Sequence, residues 1–118
     1  MPVRNYKDLI VWQKSMDLAA EIYSLIKKLP KEETYSLSDQ MRRAAISIPS
    51  NIAEGKSRSS QKEFLYFLGI AKGSRAELET QLILCERIGY LKSDDVKKAF
   101  DLLIEVEKML VSLQATIK

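Results

Sequence analysis

Met41, Ala45, Ile48 and Ile52 fall four, three and four residues apart, and the same rhythm governs three other long segments of the chain. Such spacing lays side chains along one stripe of an α-helix, and nothing between these segments alternates with the period of two that a strand requires. The chain therefore has to fold as helices that bury stripes against one another. Its most telling stretch is QMRRAAISIPSNIAEG, residues 40–55, where the stripe runs straight through Pro49. Proline has no N–H and crowds the carbonyl four residues back, so Ala45 should lose its helical partner and the helix should bend there. Ala44, Ala45, Ser47, Ser50 and Ala53 are small, which lets a neighbouring helix approach.

Four helices follow from the pattern. The first is expected from about Tyr6 to Leu29, with Asn5 as its N-cap and Pro30 as its stop. Leu9, Trp12, Met16, Ala19, Tyr23 and Ile26 read as its bundle seam. A second apolar row, Leu18, Ile22, Leu25 and Leu29, lies roughly 100° further round. The second helix should begin near Ser36 or Ser38 and end at Glu54, with Gly55 as a left-handed cap. Ser60 and Glu63 have capping-box spacing and open a third helix that should reach about Ile88 before Gly89 ends it. Its seam is Phe64, Leu68, Ala71, Arg75, Leu78, Leu82 and Cys85. Gly69, Gly73, Ala76 and Thr80 form a separate row of small residues. Each helical glycine costs roughly 1 kcal/mol relative to alanine, which suggests a close crossing with another backbone. The fourth helix should start at Ser93 and bury Val96, Ala99, Leu103, Val106, Leu110, Leu113 and Ile117.

Short connections make successive helices antiparallel, so the expected fold is all-α, an up-down-up-down four-helix bundle in a single domain spanning residues 1–118. The second row on the first helix, together with Phe100, Leu102, Ile104 and Val111 on the fourth, exceeds what one bundle has to bury. That surplus predicts a homo-oligomer.

The chemistry of the chain argues against an enzyme. It has no histidine, which removes the usual general base and the commonest metal ligand, and one cysteine cannot build a thiolate metal site. No phosphate-cradling glycine loop or dinucleotide fingerprint occurs, so no cofactor is expected. Cys85 falls on an apolar seam and reads as a core thiol. Glu54 is expected to accept from Arg42, Arg43 or Arg58, and Asn51 to tie up backbone groups. No apolar run reaches membrane-spanning length and no hydrophobic leader opens the chain, so a cytoplasmic, membrane-free protein is expected.

The net charge of +3 is unevenly spread. Residues 40–75 hold seven basic side chains, Arg42, Arg43, Lys56, Arg58, Lys62, Lys72 and Arg75, against the acidic Glu54 and Glu63. That region is +5 while the rest of the chain is −2. If the second and third helices form a hairpin, Arg43 should lie level with Lys72. Two basic groups then result, one at the connecting loop and one higher up. On charge alone, a surface for a polyanion and an ordinary solubilising surface are equally good readings.

QMRRAAISIPSNIAEG, the early DLIVWQKSMDLAAEIY and the later FLGIAKGSRAELETQL resemble the four-helix-bundle family encoded in intervening sequences of bacterial large-subunit ribosomal RNA genes. The likeness runs over essentially the whole chain. The family also resembles the accessory variability determinant of diversity-generating retroelements, a basic barrel of five subunits that binds nucleic acid and a reverse transcriptase. The resemblance implies a homo-oligomer, most plausibly a pentamer, and tips the seven cations towards RNA or DNA phosphates. The alternative is a helical protein–protein scaffold, for example an accessory subunit of a reverse transcriptase, with no nucleic-acid role of its own. No catalytic residues are carried over.

Overall fold

Buried positions recur at helical spacing on each of four helices and converge on one core. In the computed structural model, which describes residues 5–117, these are α1 (Ile10–Ile26), α2 (Leu37–Lys56), α3 (Gln61–Arg87) and α4 (Ser93–Thr116). Each helix packs on the next, and α1 closes the circuit on α4. Partners across each seam run in opposite directions. Along α1 and α4, Lys14 pairs with Glu105 at 3.3 Å, Glu21 with Lys98 at 3.9 Å and Lys28 with Asp95 at 2.7 Å. The result is an antiparallel four-helix bundle 44 Å long.

The stripes read from α2, α3 and α4 are the ones that fill the core. Met41, Ala45, Ile48, Ile52, Leu68, Leu78, Leu82, Leu103, Val106 and Leu110 are all fully shielded from solvent. Burying each large aliphatic chain is worth about 1.5–3 kcal/mol, so this row structure dominates folding. Helix α1 reverses the expected order of its two rows. Leu18, Ile22, Leu25 and Leu29 are buried together with Val11 and Ser15, whereas Met16 and Tyr23 are 45% and 42% exposed. Met16 and Tyr23 of the other row thus face outward, while Trp12 and Ala19 stay half-buried at its edge rather than forming the main seam. Trp12, Met16 and Ala19, with Tyr6, Ile46, Pro49 and Ala53, line an apolar groove between α1 and α2.

Helix ends differ from expectation where local signals compete with tertiary ones. Asn5 does cap a helical turn, accepting from the Lys7 N–H at 2.9 Å, but that turn is a short 3-10 segment, Tyr6–Asp8. Extended backbone at Leu9 separates it from α1. At the other end of α2, Gly55 lies inside the helix, which runs on to Lys56; Gly89 alone among the described residues has positive φ, +86°, and ends α3. Gly55 is small for a different reason. A β-carbon there would stand 2.8 Å from Cβ of Phe67 and 3.0 Å from the Phe64 ring. The close crossing therefore sits at Gly55, not at Gly69 or Gly73, whose added β-carbons would meet nothing within 4 Å. Helix α4 starts at Ser93 as expected, and its end is closed by Asp95, which accepts from the Lys92 N–H at 2.9 Å.

Helices α2 and α3 make the most extensive contact of the bundle. Ser47 and Ser74 share a hydroxyl–hydroxyl bond of 2.7 Å across it, and the Cys85 thiol meets Met41 Sδ at 3.7 Å. Helix α2 continues through the buried Pro49, and Asn51 Nδ2 donates to the Ser47 carbonyl and hydroxyl at 2.8 and 2.9 Å. Asn51 therefore satisfies local groups beside the proline, as its sequence position suggests.

Candidate nucleic-acid interface

The cations of residues 40–75 separate into three settings once the helices are placed. At the N-terminal end of α2, Arg43 projects into solvent with its side chain 79% exposed, and its Nε donates to Asp39 at 3.0 Å. Arg42 is less free. It donates to the Thr34 carbonyl at 3.0 Å and approaches Asp39 at 3.9 Å, so it also fastens the loop that precedes α2.

The corner between α2 and α3 holds Lys56, Arg58 and Lys62. Ser60 builds it: its hydroxyl accepts from the Glu63 N–H at 3.1 Å and donates to the Glu63 carboxylate at 3.2 Å, setting the start of α3. Arg58 donates to Glu54 at 2.8 Å, lies 3.9 Å from Glu63, and stacks over the Phe67 ring at 5.0 Å. Glu54 thus takes the last of the three arginines proposed for it. Lys56 stands 5.7 Å from the Phe64 ring centre. Lys56 and Lys62 have no carboxylate partner among the described residues, so they are the least neutralised cations of the corner. A cleft of about 330 Å³ opens beside Lys56 and Arg58, with Ser59, Ser60 and Gln61 on its polar side.

Lys72 and Arg75 belong to neither group. The contacts of Ser47 with Ser74 and of Met41 with Cys85 put Arg43 beside the stretch around residue 80, roughly 10 Å further along the hairpin than Lys72. Lys72 and Arg75 turn instead towards α4. Lys72 lies 3.9 Å from Glu107. Arg75 is only 8% exposed. Its Nε sits 2.6 Å from Glu107, an ion pair whose N–H is not aligned as a hydrogen bond, while its other nitrogens reach Glu79 and the Leu103 carbonyl, each at 3.3 Å. The predicted higher basic group is therefore not assembled, and Arg75 does not present its charge to the surface. Its place in the apolar seam between Ala71 and Leu78 was the signal for this.

Glu33, Tyr90 and Cys85 are shifted by their surroundings. Glu33 accepts from Ser36 at 2.6 Å and from the Tyr90 hydroxyl at 2.8 Å, tying the α1–α2 loop to the α3–α4 turn. The bond from Ser36, followed by that from Tyr90, holds its carboxyl below the usual range; the same contact pushes the Tyr90 hydroxyl upward. Burial, then the Glu33 charge, pushes the Cys85 thiol up to about 11, which keeps it protonated and inert at neutral pH.

Residues 7–112 match the family model described as 23S rRNA-intervening sequence protein. The chain belongs to this family. The structure is also similar to a solved protein of unknown function from the S23 ribosomal protein family of Bacteroides thetaiotaomicron VPI-5482. The two share 31% identity and a TM-score of 0.83, over 90% of this chain and 99% of the other. No curated protein matches. Within QMRRAAISIPSNIAEG, Met41, Ala44, Ala45, Ile48 and Ile52 are core, Ile46 faces the outer groove, and Gly55 admits α3. No described helix is long and apolar enough to cross a membrane.

Proposed function

We propose that this chain is a non-enzymatic, nucleic-acid-associated protein that assembles as a homo-oligomer and holds RNA or DNA by its phosphates. One observation carries the reading: Arg42, Arg43, Lys56, Arg58 and Lys62 stay wholly or partly at the surface along α2 and its corner with α3, in the region of the chain where basic residues outnumber acidic ones seven to two. Lys72, half-exposed at the α4 side, is a weaker contributor, and Arg75 contributes none. The family description, which names 23S rRNA, and the ribosomal label of the solved neighbour are in keeping with an RNA partner. Contacts of this kind position a backbone without reading its sequence.

Self-association is supported by the outward row of α1. Trp12, Met16, Ala19 and Ile46 leave an apolar groove that a second copy would cover, and the family resemblance favours a pentamer. The same groove supports a second reading, in which another protein, such as a reverse transcriptase, is the partner and nucleic acid plays no part.

Binding of a structured RNA, followed by fluorescence anisotropy over a salt series, tests the first reading. Affinity should fall steeply with salt because neutralised phosphates release counterions. It should collapse when Arg42→Glu, Arg43→Glu and Arg58→Glu are combined. A flat salt dependence, or unchanged binding by the triple variant, removes the nucleic-acid assignment. Sedimentation at micromolar concentration tests the assembly, and a monomer there removes the ring.

A further inference from the structure

The corner between α2 and α3 carries an aromatic layer as well as cations. Arg58 stacks on Phe67 at 5.0 Å, and Phe67 meets Tyr66 edge-on at 5.2 Å with the planes 81° apart. Tyr66 is thereby braced from the bundle side while remaining 66% exposed. Lys62 stands one turn before it on the same face of α3. Gly69, one turn after it, is exposed, has nothing within 4 Å of where a β-carbon would be, and contributes no side chain of its own beside the ring. Glu54 and Glu63 are both turned to Arg58, which leaves Lys62, among the described residues, as the unpaired cation beside this platform, while Lys56 lies across the corner over the Phe64 ring.

We propose that this corner grips an unpaired nucleic-acid strand, with Tyr66 stacking on a base while Lys62 holds the neighbouring phosphate. The inference rests on the nucleic-acid reading above and narrows it to a ligand class. A duplex keeps its bases stacked on one another and offers this corner only phosphates. A single strand offers both, and cations combined with an exposed aromatic face are the means by which strands are held without sequence preference.

The test uses a fluorescein-labelled 12-nucleotide strand, as RNA and as DNA, against the same sequences as blunt duplexes. The wild-type protein should bind at least one strand more tightly than its duplex. Tyr66→Leu, which keeps apolar bulk but loses the π-face, should weaken strand binding about tenfold and leave duplex binding and the salt slope unchanged. Tyr66→Phe should retain wild-type strand binding. Equal affinity for strand and duplex, or full strand binding by Tyr66→Leu, overturns the inference while leaving backbone binding intact. A change of subunit number in Tyr66→Leu overturns it too, because Tyr66 would then be an assembly contact. Absence of binding to every probe at low salt overturns both this inference and the reading beneath it.

Discussion

Arg58 and Arg75 lie seventeen residues apart on one helical hairpin, and the fold uses them in opposite ways. Arg75 sits in an apolar seam, so burial forces it to bring its own partners. Glu107, Glu79 and the Leu103 carbonyl surround a guanidinium whose side chain is only 10% exposed. Arg58 lies on a corner, 43% exposed, where the Phe67 ring and Glu54 orient it but water still reaches it. A cation in the first setting fastens α3 to α4; one in the second remains available to a ligand. Counting charges along the chain cannot separate the two, but their position relative to the apolar rows does.

The largest effect should come from breaking the inner member of the pair. Arg75→Ala leaves Glu107 and the Leu103 carbonyl without their partner, and we expect a loss of about 2–4 kcal/mol in denaturant unfolding. Glu107 is 32% exposed and can rehydrate, which keeps the figure below that of a sealed pair. A loss below 1 kcal/mol would mean that Arg75 is no more structural than Arg58.

Gly55→Ala probes the crossing beside the outer member. Its new methyl would overlap Phe67 Cβ and press on the Phe64 carbonyl at 3.3 Å, neither of which is the free end of a flexible chain. Overpacking of this kind costs about 1–3 kcal/mol and should also loosen the Arg58 stack on Phe67. Gly73→Ala is the matching control. With open space around it, the subunit should gain about 0.5–1 kcal/mol. A loss of stability that depends on protein concentration would instead place Gly73 in a contact between copies.

Protonation should separate the loop end of the bundle from the corner. Glu33 and Asp95 have carboxyl values lowered in the fold, Asp95 first by the Lys28 bond and then by the Lys92 N–H. Their contribution is therefore complete above the unfolded values of 4.5 and 3.8, and is lost as pH falls through the lower folded ones. Tyr90, raised from 10.0, contributes below that value and loses its contribution as pH rises through the folded one. Melting temperature against pH should be flat between these limits, and Glu33→Gln should reduce the acid-side slope. An unchanged slope would show that the two loops are held together without the Glu33 contact.

Much of this architecture was legible because α2, α3 and α4 each carry one dominant apolar row, and a single row has only one way to face inward. Helix α1 carries two, and the available signal was their chemistry: Leu18, Ile22, Leu25 and Leu29 are purely aliphatic, whereas Tyr23 carries a hydroxyl that favours the surface. That choice is settled by which row faces the bundle axis between α2 and α4, the helices on which α1 packs. Gly55 was misread for a related reason. A glycine near a helix end favours a left-handed cap, but here the requirement comes from Phe64 and Phe67 on a different helix. The predicted level of Arg43 failed because the hairpin register is set by contacts such as Ser47 with Ser74, which loop length does not reveal. The candidate site was legible as a list of cations and illegible as a surface.

The smallest expected effect completes the comparison. Arg58→Ala removes a half-exposed ion pair and one face of a cation–π stack, both solvated, so unfolding should change by no more than about 0.5 kcal/mol. The same substitution removes a positive charge from the corner, so any phosphate contact made by Arg58 should disappear from the salt slope, lowering it by about one. Stability and binding are thus predicted to part company at Arg58. They should not at Arg75, where Arg75→Lys keeps the charge but cannot reproduce three divergent contacts from one planar group. If Arg58→Ala costs more than 1 kcal/mol, Arg58 is a strut like Arg75, and the corner's supply of available cations shrinks to Lys56 and Lys62.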